Sequence, residues 1–99
     1  MIPLESVDYY TFFPLIGRTF SSGGGEGRVE LVLRVVEKLG HRRADAARDP
    51  FSLIFLGPQG LRVPQGTYLL ECEGLGEIGL FITQVADGVK GSEFEAIFT

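Results

Sequence analysis

The chain contains a single cysteine, Cys72, a single histidine, His41, and no tryptophan. One cysteine excludes a disulfide within the chain, and with only one histidine beside it no Cys/His metal cluster can be assembled. We therefore expect a fold stabilised by packing, with no metal and no other cofactor. His41 also has no evident acidic partner in a fixed element, so no Ser/His/Asp or Cys/His catalytic set is predicted.

Long hydrophobic runs are also missing. The longest runs, such as residues 53–56, are far shorter than the roughly 20 apolar residues that a membrane-spanning helix needs. Residues 1–16 carry Glu5 and Asp8 among their hydrophobic residues, and they lack the basic start and continuous apolar centre of a signal peptide. No membrane span is expected, and the expected location is cytoplasmic by default, with incorporation into an assembly left open.

Basic residues are fewer than acidic ones, nine against thirteen, which gives a net charge of −4. Nucleic-acid binding needs several phosphates neutralised by clustered Lys and Arg, so it is not expected. The charges are unevenly distributed, however. Six basic residues lie in one segment: Arg28, Arg34, Lys38, Arg42, Arg43 and Arg48. Acidic residues dominate the C-terminal third: Glu71, Glu73, Glu77, Asp87, Glu93 and Glu95. This asymmetry could orient the domain against copies of itself or another protein, or simply reflect solvated strand faces.

The remaining composition indicates one folded domain over residues 1–99. Hydrophobic residues make up 44% of the chain and include eight phenylalanines, which excludes a disordered chain. A chain of this length buries roughly 60 to 70% of its extended surface, enough for one core.

The N-terminal region has the signals of a short helix over residues 6–13. Ser6 can cap it, Tyr9, Phe12 and Phe13 have helical spacing, and Pro14 and Gly17 stop it. The aromatic and β-branched content of this segment would also suit a strand, so that alternative stays open.

A short strand over residues 18–21 is predicted to enter a glycine-rich hairpin turn at residues 22–26. The Gly23–Gly25 run lacks the Gly-Lys-Ser/Thr ending of a phosphate-binding loop. Residues 28–38 then alternate as the longest strand. One face carries Val29, Leu31, Leu33 and Val35, and the other carries Glu30, Val32, Arg34 and Val36. The polar residues 40–49 are interpreted as a surface connection, with one helical turn allowed at 44–48.

Four more strands follow, bounded by Gly and Pro, at residues 51–56, 67–73, 77–85 and 93–98. Their predicted inward faces are Phe51, Leu53 and Phe55; Tyr68, Leu70 and Cys72; Ile78, Leu80 and Ile82; and Phe94, Ala96 and Phe98. Because short turns separate them, we expect antiparallel neighbours in a meander. The predicted fold is mainly β: one small antiparallel β-barrel or sandwich of five to six strands with a short N-terminal helix.

Few residues suggest chemistry. Glu71 and Glu73 point the same way from one strand and could act as paired carboxylates, but alternating exposed acids also keep a half-buried strand soluble. Cys72 faces inward, as a small buried hydrophobe does. His41, Arg42 and Arg43 form a basic cluster that could contact an anionic partner or be solvated. Gln65 and Tyr68 flank a turn, with Tyr68 placed to enter the core. No catalytic, cofactor-binding or metal-binding residue is assigned, and no enzyme activity is expected.

Several short blocks occur in a recognisable order. They are Pro50-Phe51-Ser52-Leu53-Ile54-Phe55, Gly57-Pro58, Pro64-Gln65-Gly66-Thr67-Tyr68, Leu75-Gly76, Leu80-Phe81 and Phe94-Glu95-Ala96-Ile97-Phe98, together with residues 12–17 and Phe20. In these blocks the chain resembles a small bacterial domain family of unknown function. It departs from the family at Phe94, where a tyrosine is common.

The resemblance implies no activity, catalytic residue or cofactor. Some members look to be encoded beside proteins similar to phage-tail collar and tail-fibre components, which implies a part in a phage-tail-like or cell-surface assembly. We therefore expect a non-catalytic structural or protein-interaction module, with a homo-oligomer or a larger assembly as its partner, joined through a sheet edge at residues 19–21 or 93–98. The alternative is a small-ligand-binding β-barrel.

Overall fold

Six β-strands follow a short helical region in the computed structural model, which describes residues 1–22, 28–42, 44–46 and 48–99. The helical region comprises two 3₁₀ turns, Leu4–Ser6 and Phe13–Leu15, on either side of α1, Tyr9–Phe12. The strands are β1 (Thr19–Ser22), β2 (Val29–Lys38), β3 (Phe51–Gly57), β4 (Gly66–Cys72), β5 (Gly76–Gly88) and β6 (Gly91–Phe98). The predicted mainly β, antiparallel fold with a short N-terminal helix is confirmed.

The strands pair in the order β1-β2-β3-β6-β5-β4, and the sheet closes as a barrel where β1 meets β4. The closing ladder joins Ser21 to Glu71 and Ser22 to Leu70. β1 therefore lies between β2 and β4, and β6 lies between β3 and β5. The predicted sheet edges at residues 19–21 and 93–98 are only partly free: Ser21 and residues 93–95 have ladder partners on both sides, whereas Thr19 and Phe20 have none on β4 and residues 96–98 have none on β5 among the described pairs.

The predicted meander is wrong at one connection. β3 pairs with β2 and β6, whereas β4 pairs with β5 and β1. The reason is the segment 58–65, which closes one end of the barrel: Leu61 and Val63 pack against the core, and the Leu61 carbonyl accepts a 2.8 Å hydrogen bond from Ser92 Oγ. A connection held by β6 in this way cannot also act as a tight hairpin turn.

The last four strands contribute to the core the inward faces that alternation predicts, and Val7, Phe12 and Leu15 contribute to it from the N-terminal region. Most of the core residues predicted on the last four strands are buried, and only Tyr68 remains partly exposed at the rim. Phe20 and Phe55 meet across the interior with ring centroids 5.2 Å apart. Each such buried side chain contributes roughly 1.5–3 kcal/mol relative to an exposed one, so packing dominates stability.

β2 departs from simple alternation. Leu31 and Leu33 are buried as predicted, but the pairing with β3 shifts register between Leu33 and Val35. This bulge turns Val36 inward and leaves Val35 41% exposed, so the predicted placement of these two valines is reversed. A bulge inserts one residue into the two-residue period, and a regular pattern cannot reveal it.

The N-terminal segment is helical, but Ser6 is not its cap. Asp8 occupies that position: its carboxylate accepts hydrogen bonds from the backbone N–H groups of Tyr10 (2.9 Å) and Thr11 (3.1 Å). Thr11 Oγ1 in turn accepts from the Asp8 N–H, which completes a capping box. Ser6 instead ends the first 3₁₀ turn and donates to the Pro3 carbonyl.

Three sequence predictions fall outside the described residues, wholly or in part: the glycine-rich turn at 22–26, the side chain of Arg43, and the helical turn at 44–48. In the described ranges, no helix combines the length and apolar character that crossing a membrane requires.

Candidate functional site

The residues singled out for chemistry do not come together. Glu71 and Glu73 are exposed, and the described residues contain no group of three or more His, Cys, Asp and Glu side chains able to hold a metal ion. Cys72 is buried, and that burial raises the pKa of its thiol, which disfavours the reactive thiolate. These positions are explained by solubility and packing.

Gln65 and Tyr68 stabilise the turn before β4. The Tyr68 hydroxyl donates to the Pro64 carbonyl, and Gln65 Oε1 accepts a 3.5 Å hydrogen bond from Thr83. Of the basic cluster, His41 and Arg42 are exposed. Arg42 lines a groove that the sequence did not predict.

The first surface feature is an opening between β5 and β6. β5 pairs with β4 from Gly76 to Ile82 and with β6 only from Thr83 onwards. Residues 76–82 of β5 therefore have no ladder to β6, and an opening lies between these two strands. The opening has a volume of about 220 Å³. Leu4 and Arg48 line it together with residues of β5 and β6, and nearby the Ile2 N–H donates a 2.8 Å hydrogen bond to the Glu77 carbonyl of β5.

Large apolar side chains surround this opening on the outside of the barrel. Leu69, Phe81 and Ile97 are 47%, 53% and 57% exposed. Leu69 lies opposite Gly79 in the β4–β5 ladder, and Phe81 and Ile97 both line the opening. Single exposed apolar residues are ordinary on protein surfaces, whereas grouped ones mark sites of interaction.

Acidic residues lie next to Leu69 on the outer face of β4 and β5. Glu71 and Glu77 lie directly opposite each other in the β4–β5 ladder, an arrangement that destabilises a strand pair. Arg28 lies near them, but its described ion pair is with Glu30, at 3.3 Å. We call Leu69, Glu71, Glu77, Phe81 and Ile97 the apolar–acidic surface.

The second feature is a groove between α1 and the adjoining ends of β2 and β3, with a volume of about 390 Å³. Lys38 Nζ donates a 3.0 Å hydrogen bond to the Tyr10 hydroxyl and lies 4.9 Å from the centre of the Tyr9 ring. The Tyr10 contact raises the pKa of Lys38, so its ammonium stays charged at neutral pH. Lys38, Arg42 and Arg48 line this groove, which we call the basic groove.

Arg48 has more contacts than the surface connection predicted over 40–49 implies. Its guanidinium donates to the carbonyls of Leu4 and Val7, the latter at 2.7 Å, and lies 5.2 Å from the centre of the Phe98 ring. It thereby joins the 40–49 connection to the N-terminal segment and the barrel end. No local signal in the sequence distinguishes this arginine from its solvated neighbours.

Two carboxylates also line the basic groove, but each has backbone partners. Asp8 caps α1, and Asp49 Oδ1 accepts a 2.6 Å hydrogen bond from the Arg42 N–H. In the part of the chain that the structure describes, the ion pairs are Arg28–Glu30 and Arg62–Asp87, so Lys38, Arg42 and Arg48 have no carboxylate within ion-pair distance there.

These features define a small closed antiparallel β domain with an apolar–acidic surface and a basic groove, and Arg48 lines both the groove and the β5–β6 opening. The chain belongs to the family described as Domain of unknown function (DUF6916), which matches residues 7–98. No curated protein and no solved structure matches the chain.

Proposed function

We propose that this domain is a non-catalytic structural or protein-interaction module that associates with itself or with a larger protein assembly. The observation that carries the proposal is the group formed by Leu69, Phe81 and Ile97, each about half exposed around the β5–β6 opening. Removing apolar surface from water contributes roughly 25 cal/mol per Å², so covering this group with a partner would stabilise a complex.

Within that class, we propose a component of a phage-tail-like or cell-surface assembly. The support is what the resemblance in sequence blocks implies, a bacterial family in which some members look to be encoded beside proteins similar to phage-tail components. The contact runs over the outer face of β4 and β5, since Ser21 and residues 93–95 of the predicted sheet edges are paired on both sides within the barrel.

A ligand-binding barrel is the weaker proposal. Its lumen would have to leave room for a ligand, but Phe20, Phe55 and Phe94 are completely buried there and belong to one continuous core. The aromatic residues that could line a pocket are used to fill the interior.

Affinity capture of the tagged chain from its native host, with the mass of the purified complex, tests the leading proposal. We expect a complex of defined stoichiometry that is lost in Phe81→Lys, because a charge in the centre of an apolar contact is desolvated without a partner. Val89→Lys is the matched control, since Val89 is 86% exposed in the β5–β6 turn. Recovery of a lone monomer, or equal loss in both variants, would overturn the proposal.

A further inference from the structure

The opening between β5 and β6 leaves part of each strand without a neighbour. Beside it, β5 pairs only with β4, and residues 96–98 of β6 pair only with β3 among the described ladders. The Glu77 carbonyl points to the side of the opening, since it accepts from the Ile2 N–H. Because backbone groups alternate between the two sides of a strand, those of Gly79 and Phe81 point to the same side.

The chain itself shows how a segment pairs with this edge of β5. Ile2 forms a parallel bridge with Ile78, and its side chain packs against the core. The pairing stops there, because a 3₁₀ turn begins at Leu4 and Pro3 has no N–H group to donate. The N-terminal segment therefore covers the edge at one position and leaves the rest of it uncovered.

The uncovered part of the edge suits a peptide strand. The Gly79 carbonyl and the Phe81 N–H have no partner among the described backbone hydrogen bonds. Apolar side chains line most of the opening, and Arg48 is the one charged residue among those described there. Phe81 and Ile97 are about half exposed on its outer side. Free backbone groups beside apolar side chains are the features that strand addition uses.

From these observations we propose that the opening binds an extended, largely apolar segment of the partner chain, which runs parallel to β5 and displaces residues 1–3. The proposal rests on the function proposed above and specifies how the partner binds. The parallel direction follows from the bridge that Ile2 makes with Ile78. Because β6 runs antiparallel to β5, the same segment is antiparallel to β6.

The register defines which residues the segment needs. Side chains opposite each other in a ladder lie on the same face, so the segment's residues opposite Ile78 and Leu80 point towards the core and are apolar. The residue between them lies opposite Gly79, which has no side chain. Its N–H and C=O groups point towards Ile97 of β6 and pair there, which excludes proline at this position.

The probe is a capped pentapeptide, Thr-Ile-Thr-Leu-Thr, which keeps the apolar spacing of Ile2 and Leu4 and has threonine in place of the intervening proline. In a nuclear magnetic resonance titration of the full chain, it should shift the amide signals of Gly79, Phe81 and Ile97. It should also slow hydrogen exchange at the Phe81 amide. The matched control, Thr-Ile-Pro-Leu-Thr, should bind roughly tenfold more weakly because it lacks one donor.

Ile2→Ala tests the displacement of residues 1–3. The substitution weakens the packing of the segment that competes with the peptide, so the pentapeptide should bind this variant more tightly than the wild-type chain. Equal affinity for the variant and the wild type would show that the peptide binds elsewhere.

Two variants separate backbone pairing from side-chain contact. Phe81→Pro and Phe81→Ala both lose the exposed ring, but only Phe81→Pro also loses the N–H that points to the opening. Proline is tolerated at an edge position whose N–H makes no ladder bond, so both variants should fold. The pentapeptide should bind Phe81→Pro roughly tenfold more weakly than Phe81→Ala. If Phe81→Pro does not fold, amide exchange at Phe81 in the wild-type chain decides the same question.

Three further results would overturn the strand pairing: unchanged Phe81 and Ile97 amide signals at millimolar peptide, equal binding of the two peptides, or equal binding of the pentapeptide to the two Phe81 variants. None of them refutes the proposed function, which fails on the capture experiment. If capture returns a complex that is lost in Phe81→Lys while the pentapeptide does not bind, the partner covers the outer side chains without adding a strand.

Discussion

One end of the barrel is closed by stacked aromatic rings, and the other by a polar loop around two glycines. At the aromatic end, Phe12 from α1 lies with its ring centre 5.9 Å from that of Phe51 and 5.6 Å from that of Phe98, and the latter two stack at 4.6 Å. Such ring pairs add roughly 0.5–1.5 kcal/mol beyond the buried area.

At the other end, the closure depends on close backbone approach and hydrogen bonds. Gly91 has a φ of +140°, and a Cβ there would collide with the Gly57 carbonyl oxygen. The Leu61 carbonyl accepts from both Ser92 Oγ and Gln84 Nε2. We therefore expect the free energy of unfolding to fall when side-chain volume is removed at the aromatic end, and when it is added at the glycine-containing end.

The largest expected effect is at the aromatic end. Phe12→Ala removes a completely buried ring and leaves a cavity, so we expect the free energy of unfolding to fall by about 3–5 kcal/mol. Urea denaturation measures it. Phe13→Ala is the control, because Phe13 is 51% exposed, and it should change the free energy by about 0.5 kcal/mol or less. Similar losses for both variants would contradict the assigned role of Phe12.

The second largest loss in the free energy of unfolding is expected at Gly91, which lies against Gly57. Gly91→Ala adds a methyl group where the backbone of β3 leaves no room and where a side chain is strained, so we expect a loss of about 2–3 kcal/mol. Gly40→Ala separates the two causes: its φ is +128°, but nothing lies within 4 Å of the added Cβ. It should show only the backbone strain, a loss of roughly 1 kcal/mol. Equal losses at the two positions would mean that the close approach to Gly57 is unimportant.

The burial of strand side chains could be predicted from the sequence. Over residues 78–82 of β5 and 92–98 of β6, buried side chains alternate with more exposed ones, so the burial of Ile78, Leu80 and Phe94 follows from the two-residue period. The aromatic end was partly predictable for the same reason, since Phe51 and Phe98 belong to these inward faces.

What the sequence could not predict depends on contacts between distant residues. The β3–β6 pairing follows from where segment 58–65 crosses the barrel, and the placement of Arg48 depends on the Leu4 and Val7 carbonyls more than 40 residues earlier. The basic groove could not be predicted for the same reason, because α1 and the ends of β2 and β3 meet only in the folded chain. The bulge beyond Leu33 is similarly invisible to a periodic pattern.

The smallest expected effect is at Ser92, near the end of the barrel where Gly91 meets Gly57. It tests the contribution of a hydrogen bond without a change that adds volume. Ser92 is completely buried, and Ser92→Ala removes its 2.8 Å hydrogen bond to the Leu61 carbonyl without adding volume. Because Gln84 Nε2 still donates to that carbonyl at 3.1 Å, the acceptor stays satisfied and the loss should be about 1 kcal/mol.

Combining Ser92→Ala with Gln84→Leu should reduce the free energy of unfolding by more than the sum of the two single changes, since the double variant leaves the Leu61 carbonyl without a side-chain donor. Strictly additive losses would indicate that the two donors act independently and that this end is closed by its glycines and by Leu61 packing.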